Sequence, residues 1–314
     1  AGTTLLIARL RAEVKVELFL QAAVVASVLV FGYIDFILYI DPAPIAFLEL
    51  FKRHEIQTYV AFKSFMSATG CLLPLLVWAA VRLRGHWRML AILSLLLLLP
   101  ALWNNGVQIS RSTLIGMATA AGLVGGWFLL LRAPALLRRS VITGSALLAL
   151  VLGQMFLNQL PEPPVRAEQE QESEIAVLDW HRQVIWGFVY SRIQMNPIFG
   201  VGLNSIDRVE GAKQIIPGMN QEYVPSHPHN WVLEVTSETG LVGFLALIAV
   251  LAFLFRRMSI MPPGARWAGI ALMGAFWGSS LSNFSIWATW WQLCFFLLLV
   301  PVFLEGRSAR RGEG

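Results

Sequence analysis

The chain has 314 residues, 56% of them hydrophobic and 14% charged, with a mean hydropathy of +0.63 and a formal net charge of +5. Soluble domains carry roughly a quarter charged residues, so this composition excludes a water-soluble globular protein and points to one whose surface meets a lipid bilayer. The basic excess sits mostly in short stretches beside apolar segments, which is a topology signal and not a nucleic-acid footprint. Twelve Trp residues suit the interfacial belts of a membrane protein. Cys71 and Cys294 both lie inside apolar runs and read as small buried hydrophobes rather than as a disulfide or a sulfur-ligated metal.

A hydrocarbon core about 30 Å thick needs roughly 20 apolar residues of helix. Eight candidates follow in chain order: about 17–40, 60–82, 88–104, 112–131, 140–157, 231–255, 267–282 and 285–304. Lipid offers no partner for bare backbone groups, so these segments are expected to be helices. Basic clusters alternate with them: Arg9, Arg11 and Lys15; Arg82, Arg84 and Arg88; Arg132, Arg138 and Arg139; Arg256, Arg257 and Arg266; and Arg307, Arg310 and Arg311. All five fall on one face, which the positive-inside rule makes cytoplasmic. Lys52-Arg53-His54 breaks the pattern by falling on the opposite face; it reads either as a misplaced first helix or as an outward site for an anionic ligand.

The reading is therefore all-α: a polytopic transmembrane bundle with helices 1–5 in residues 1–157, a large periplasmic loop in 158–230, and helices 6–8 with a cytoplasmic tail in 231–314. Within the loop, 161–174 is rich in Pro, Glu and Gln and reads as an exposed strip. Residues 175–195 look like an amphipathic helix, with Val177, Leu178, Val184, Ile185, Phe188 and Val189 available to pack. Asn196-Pro197 ends it, because the residue before proline avoids the helical region. Phe199-Gly200-Val201-Gly202 continues as a turn. The whole reads as a lid or platform on the membrane surface.

Three elements on the outer face could carry chemistry. Ser110-Arg111-Ser112 opens the fourth helix; Arg111 either snorkels or offers a fixed cation with a planar donor fork suited to phosphate. Arg182 and Trp186 are four apart and share a helix face. They read either as an exposed arginine beside an interfacial tryptophan or as part of the site. The third element is Ser226-His227-Pro228-His229-Asn230, just before the sixth helix. Its imidazoles have three open readings: metal ligands with Glu222 or Glu234, a structural cap on the helix, or a general base that is neutral yet basic near neutral pH.

His229-Asn230, nine residues, Gly240, two residues and Gly243 resemble the periplasmic signature of the O-antigen ligase family, within the superfamily of O-antigen ligases, polymerases and related oligosaccharide transferases. Ser110-Arg111-Ser112 at a helix entrance is similar too, as is Arg182 four before Trp186, leading to Pro197-Ile198-Phe199-Gly200-Val201-Gly202. The resemblance covers roughly residues 105–255 and implies a GT-C-like fold. It implies that His229 acts as base on the acceptor hydroxyl, and that Arg111 and Arg182 hold the pyrophosphate of an undecaprenyl-linked glycan donor. Trp186 and Asn230 are then candidate substrate contacts, and so is His227, which the family pattern does not fix. No metal or cofactor is implied. The expected acceptor is a sugar of lipid A–core, and the expected location is the bacterial inner membrane with the site facing the periplasm.

The expected activity is inverting, metal-independent transfer of polysaccharide onto lipid A–core. A polymerase or a protein O-oligosaccharyltransferase of the same superfamily is the alternative. A single large outer loop favours the ligase, since two arginine-bearing outer loops are expected of polymerases. A transporter or flippase is the more remote alternative, and it should place ionisable groups near helix centres. The fourth and sixth to eighth helices are nearly free of them, apart from Glu234 and Glu238 near the outer end of the sixth, and Lys63 near the start of the second helix is a counterexample.

Overall fold

The computed structural model describes residues 12–52, 58–103, 111–164 and 179–312. Ten α-helices are formed among them: α1 (Ala12–Tyr39), α2 (Ala43–Lys52), α3 (Thr58–Arg82), α4 (Gly85–Trp103), α5 (Arg111–Leu131), α6 (Ala135–Leu157), α7 (Trp180–Met195), α8 (Trp231–Ser259), α9 (Pro263–Ser279) and α10 (Thr289–Gly312). Short 3-10 turns cover Ile206–Arg208 and Ser280–Ser282. No strand is formed among the described residues, only an isolated bridge between Ile215 and Glu222. The protein is an all-helical, multi-pass bundle.

Each of the eight apolar segments contains a helix, and six of them, in α1, α3, α5, α6, α8 and α10, are long and apolar enough to cross a membrane. The last helix begins at Thr289 and not at 285, because residues 285–288 form a turn bound to α8 through Ser285 and Ile286. The apolar part of α4, Gly85–Ala101, is shorter, and α9 has 17 residues. The helices outrun their hydrophobic segments. Lys15, Arg88, Arg138, Arg139, Arg256, Arg257 and Arg266 lie within helical turns rather than in open loops. A long cationic stem can keep its head in the interface while the backbone stays helical. At these positions the helix continues through the basic residues, whereas Arg84 and Arg132 lie just outside helices. Lys52 closes α2, while Arg53, His54, Ser110, Val177 and Leu178 lie outside the described residues.

The contacts divide the chain into two compact units. The first comprises Ala1–Val124, Leu254–Ser279 and Trp290–Gly314. In α1, Val16, Leu20, Val24 and Phe31 recur at helical spacing and face one side. They pack with Leu76, Trp78, Ala79 and Leu83 of α3, Ala91 and Leu98 of α4, and Val302 of α10. At the end of α3, Arg82 pairs with Glu305 of α10 and lies 5.8 Å from the Trp78 ring. Phe276 of α9 stacks on Trp291 and Phe295 of α10 at ring separations of 4.7 and 4.5 Å.

Inside lipid there is little hydrophobic drive between helices, so close packing decides which faces meet. Where α5 crosses α9, small residues provide that packing. A Cβ added at Gly274 would stand 2.5 Å from the Ala120 backbone, and one at Gly116 would stand 2.5 Å from the Ala275 carbonyl oxygen. An apolar cavity of about 580 Å³ opens nearby, lined by Gly70, Trp78, Ala120, Gly264, Trp267 and Ala275 among others.

The second unit comprises Gly125–Phe253 and Ser280–Thr289. No residue of α6 is buried, as suits a helix facing lipid. The middle of α7 is different: Gln183 through Val189 are all buried. Val184, Ile185, Trp186, Phe188 and Val189 form a core with Leu160, Ile206, Ala212, Ile216, Tyr223, Val224 and Leu233. The helix read as amphipathic from its sequence is thus enclosed on more than one side by the loop that follows it. That loop folds back over it and makes a small domain-like core of its own.

Candidate functional site

Four segments of the second unit build the site, and each is held by a local rule. The first is α7. Asp179 caps its N-terminus, its carboxylate accepting from the Arg182 amide at 3.4 Å. From the first turn the Arg182 guanidinium reaches out and donates to the Ser282 hydroxyl. One turn on, the Trp186 indole N–H donates to the Pro228 carbonyl at 2.7 Å. Their shared face, read from the spacing of four, is used to bind two different loops.

The second segment is the turn after α7, which inserts into a break in α8. Gly240 has φ 65° and ψ −167° inside that helix, a conformation open essentially to glycine alone. The Pro197–Gly202 turn takes up the interrupted backbone groups: Val201 and Gly202 donate to the Ser237 and Glu238 carbonyls at 2.9 Å, and Leu241 donates to the Pro197 carbonyl at 2.8 Å. The approach leaves no room for side chains. A Cβ on Gly240 would fall 2.1 Å from the Ile198 oxygen, and one on Gly200 would fall 2.4 Å from the Glu238 carbonyl carbon. The spaced glycines of the two motifs thus meet in one joint.

The third segment is the histidine loop. Asn230 caps α8, its side-chain oxygen accepting from the Val232 and Leu233 amides at 3.0 and 3.2 Å. Just before it, His229 has φ 58°, the left-handed region that non-glycine residues seldom occupy. With Pro228 pinned to Trp186, this reversal turns the two imidazoles to the same side, with ring centroids 4.1 Å apart.

Both rings meet the fourth segment, the turn after Ser280–Ser282. The Asn283 carbonyl lies 3.0 Å from His229 Nδ1 and 3.3 Å from His227 Nε2. A carbonyl only accepts, so each of those nitrogens carries the hydrogen. When its ring is neutral, His229 is thereby the Nδ1–H tautomer, with its lone pair on Nε2. His227 takes the opposite tautomer, and its Nδ1 accepts from the Ser226 hydroxyl at 2.9 Å. Ser282 and Asn283 are adjacent, so one turn gathers the arginine and both histidines.

That turn is bound from behind by α8. The Glu234 carboxylate, 1% exposed, accepts from the Ser285 hydroxyl and from the Ile286 amide at 2.8 Å. One helical turn on, Glu238 accepts from the Asn204, Ser205 and Ile206 amides at 2.7, 3.1 and 3.2 Å, and from the Trp287 indole. These two carboxylates, the exceptions in an otherwise apolar helix, fasten two loops to it. Glu222 pairs with Lys213 at 3.2 Å. No group of three His, Cys, Asp or Glu gathers among the described residues to hold a metal.

The second unit thus brings together Arg182, Trp186, His227, His229 and Asn230. Arg111 belongs to the first unit, where it opens α5 as an exposed residue, with Ser112 buried behind it. The Asn283 carbonyl, Ser282, Glu234 and Glu238 were not assigned to the site from sequence. A backbone carbonyl leaves no trace in residue type, and the sequence reading raised Glu234 as a possible metal partner of the imidazoles and both glutamates as ionisable groups in an apolar helix, without what they bind.

Comparison with known proteins bears on the same stretch. The chain is 28% identical over 288 residues to a protein of Rickettsia prowazekii provisionally named a polysaccharide ligase, covering 87% of this chain and 65% of that one. A Rickettsia conorii protein with the same provisional name is 28% identical over 282 residues, 84% of this chain and 62% of the relative. The chain therefore spans less than two thirds of these relatives. Residues 106–248, which contain Arg111, all of α7, the histidine loop and the glycine joint, match the family model described as O-antigen ligase.

Proposed function

We propose that the protein transfers an assembled glycan from a lipid pyrophosphate carrier to a sugar hydroxyl of lipid A–core, as an O-antigen ligase of the bacterial inner membrane acting on the periplasmic side. His229 is the base. Its Nε2 lone pair takes the proton of the acceptor hydroxyl while the hydroxyl oxygen forms its bond to the anomeric carbon. The carbon–oxygen bond to the undecaprenyl pyrophosphate breaks on the opposite side, so the centre inverts and the departing pyrophosphate carries the electron pair. Arg182 holds that pyrophosphate, and the family resemblance gives Arg111 the same role. Guanidinium groups already in place stabilise developing charge without a metal ion and without reorganising as it forms.

The observation that carries this reading is the 3.0 Å contact between His229 Nδ1 and the Asn283 carbonyl. A base needs its lone pair on the outer nitrogen and its ring fixed, and this contact supplies both. Arg182 adds support because it is bound to the neighbouring Ser282. The alternation of five basic clusters with the apolar segments along the sequence supports the sidedness. Trp186 and Asn230 serve by fixing the loop and the helix start that carry His229.

The test is reconstitution of the purified protein with a lipid-linked polysaccharide and a lipid A–core acceptor. The linked product is expected, at a rate unchanged by EDTA. Transfer onto a second lipid-linked unit, with none onto lipid A–core, would replace the ligase with a polymerase.

A further inference from the structure

We propose that Glu234 is a positioning residue for His229: buried in the first turn of α8, it fixes the Asn283–Ile286 turn whose carbonyl sets the imidazole's tautomer and direction. The inference rests on His229 being the base. His229 precedes α8 and Glu234 lies inside it, so one helix start carries both the imidazole and the clamp on its orienting group. Glu234 accepts from Ser285 and Ile286, and the turn they belong to presents the Asn283 carbonyl to His229 Nδ1 at 3.0 Å. The chain of contacts runs from helix to carboxylate, to turn, to carbonyl, to imidazole, and closes on the same helix. The Glu238 contact to Trp287 tethers the far end of that turn. A group that orients a catalytic histidine through its other nitrogen both fixes the ring and favours the protonated form, because only imidazolium and the Nδ1–H tautomer can donate there.

A glutamate serving the fold alone would look similar in a structure, so the test needs a readout that folding does not move. Charged and titratable groups that meet this turn among the described residues include His227 and His229 on the histidine loop, Arg182 from α7, and Glu234 and Glu238 from α8. Glu234→Gln keeps the shape but removes the carboxylate charge and leaves one accepting oxygen, so that Ser285 must reverse its hydroxyl to accept from the amide and the hold on the turn weakens. In the reconstituted transfer assay its kcat should fall roughly 10–100-fold, the scale typical of losing an outer orienting partner, with KM changing much less. The acid limb of kcat/KM should move to lower pH, since losing the carbonyl partner weakens the imidazolium. Ser285→Ala removes one of the two contacts and should shift both quantities the same way by less. It also decides the matter if Glu234→Gln does not fold. A folded Glu234→Gln, or a folded Ser285→Ala in its place, with wild-type kcat and an unmoved acid limb would overturn the inference. His229→Ala, run alongside, separates the two claims. Inactive His229→Ala with normal Glu234→Gln removes only the positioning role, whereas active His229→Ala removes the base itself.

Discussion

Where α5 crosses α9, the first unit brings two backbones together by leaving side chains out; around the histidine loop, the second unit brings four segments together with hydrogen bonds. The difference follows from surroundings. Gly116 and Gly274 work because lipid-embedded helices gain from contact area and need no polar partner once their own backbone is satisfied. The loop at residues 196–230 has many backbone groups outside regular structure, and each must be satisfied. Asp179 and Asn230 cap helices, Glu238 takes three amides in a row, and the Pro197–Gly202 turn fills the break in α8. Packing by small residues fixes where helices lie but sets no proton. The polar joint does, because each of its bonds also selects a tautomer or aims a cation.

The comparison can be broken most strongly at its most specific point. His229→Ala should lower transfer by about 10²–10⁴-fold, the usual worth of a positioned acid–base group, with thermal stability in detergent close to wild type. Normal capping of lipid A–core in cells expressing the variant well would contradict the assignment. Arg182→Lys comes next. Lysine keeps the charge but loses the planar fork, so activity should fall roughly 10–100-fold for one charged hydrogen bond lost. Arg111→Lys should fall similarly, and full activity in both would return them to simple snorkelling.

A pair of glycine substitutions sharpens the contrast between the two units. Gly240→Ala meets a backbone oxygen and forces alanine into a glycine conformation, which costs about 1–3 kcal/mol from the backbone alone, so it should lower both stability and transfer. Gly274→Leu overpacks a helix crossing, also typically about 1–3 kcal/mol. Helices in lipid can separate to admit it, and we expect the smaller loss of melting temperature. A larger loss at Gly274 than at Gly240 would reverse the account of which joint is rigid.

These expectations rest unequally on the sequence. The helices were legible because a membrane imposes one demand, a long apolar run, that composition alone reveals; the helix ends were less so, since arginine stems let Arg138 and Arg266 stay helical beyond the apolar stretch. Arg182, Trp186 and His229 were legible through motif spacing. Their geometry was not. The spacing from His229 to Gly240 gave no sign that Gly240 breaks α8 to receive the turn after α7, because that contact joins residues about forty apart in the chain. Nor could it reveal Asn283, some fifty residues beyond His229, since a backbone carbonyl belongs to every residue alike. Glu234 and Glu238 were visible as ionisable groups in an apolar helix. What they bind was written only in the fold.

The tautomer of His229 is the most direct measurement of the central claim. With imidazole nitrogens labelled with ¹⁵N in membrane-reconstituted protein, and His229→Gln used to assign the signal, the neutral ring should show its hydrogen on Nδ1 and its lone pair on Nε2. A neutral His229 carrying its hydrogen on Nε2 would contradict the account, because the nitrogen meant to accept the acceptor's proton would already hold one.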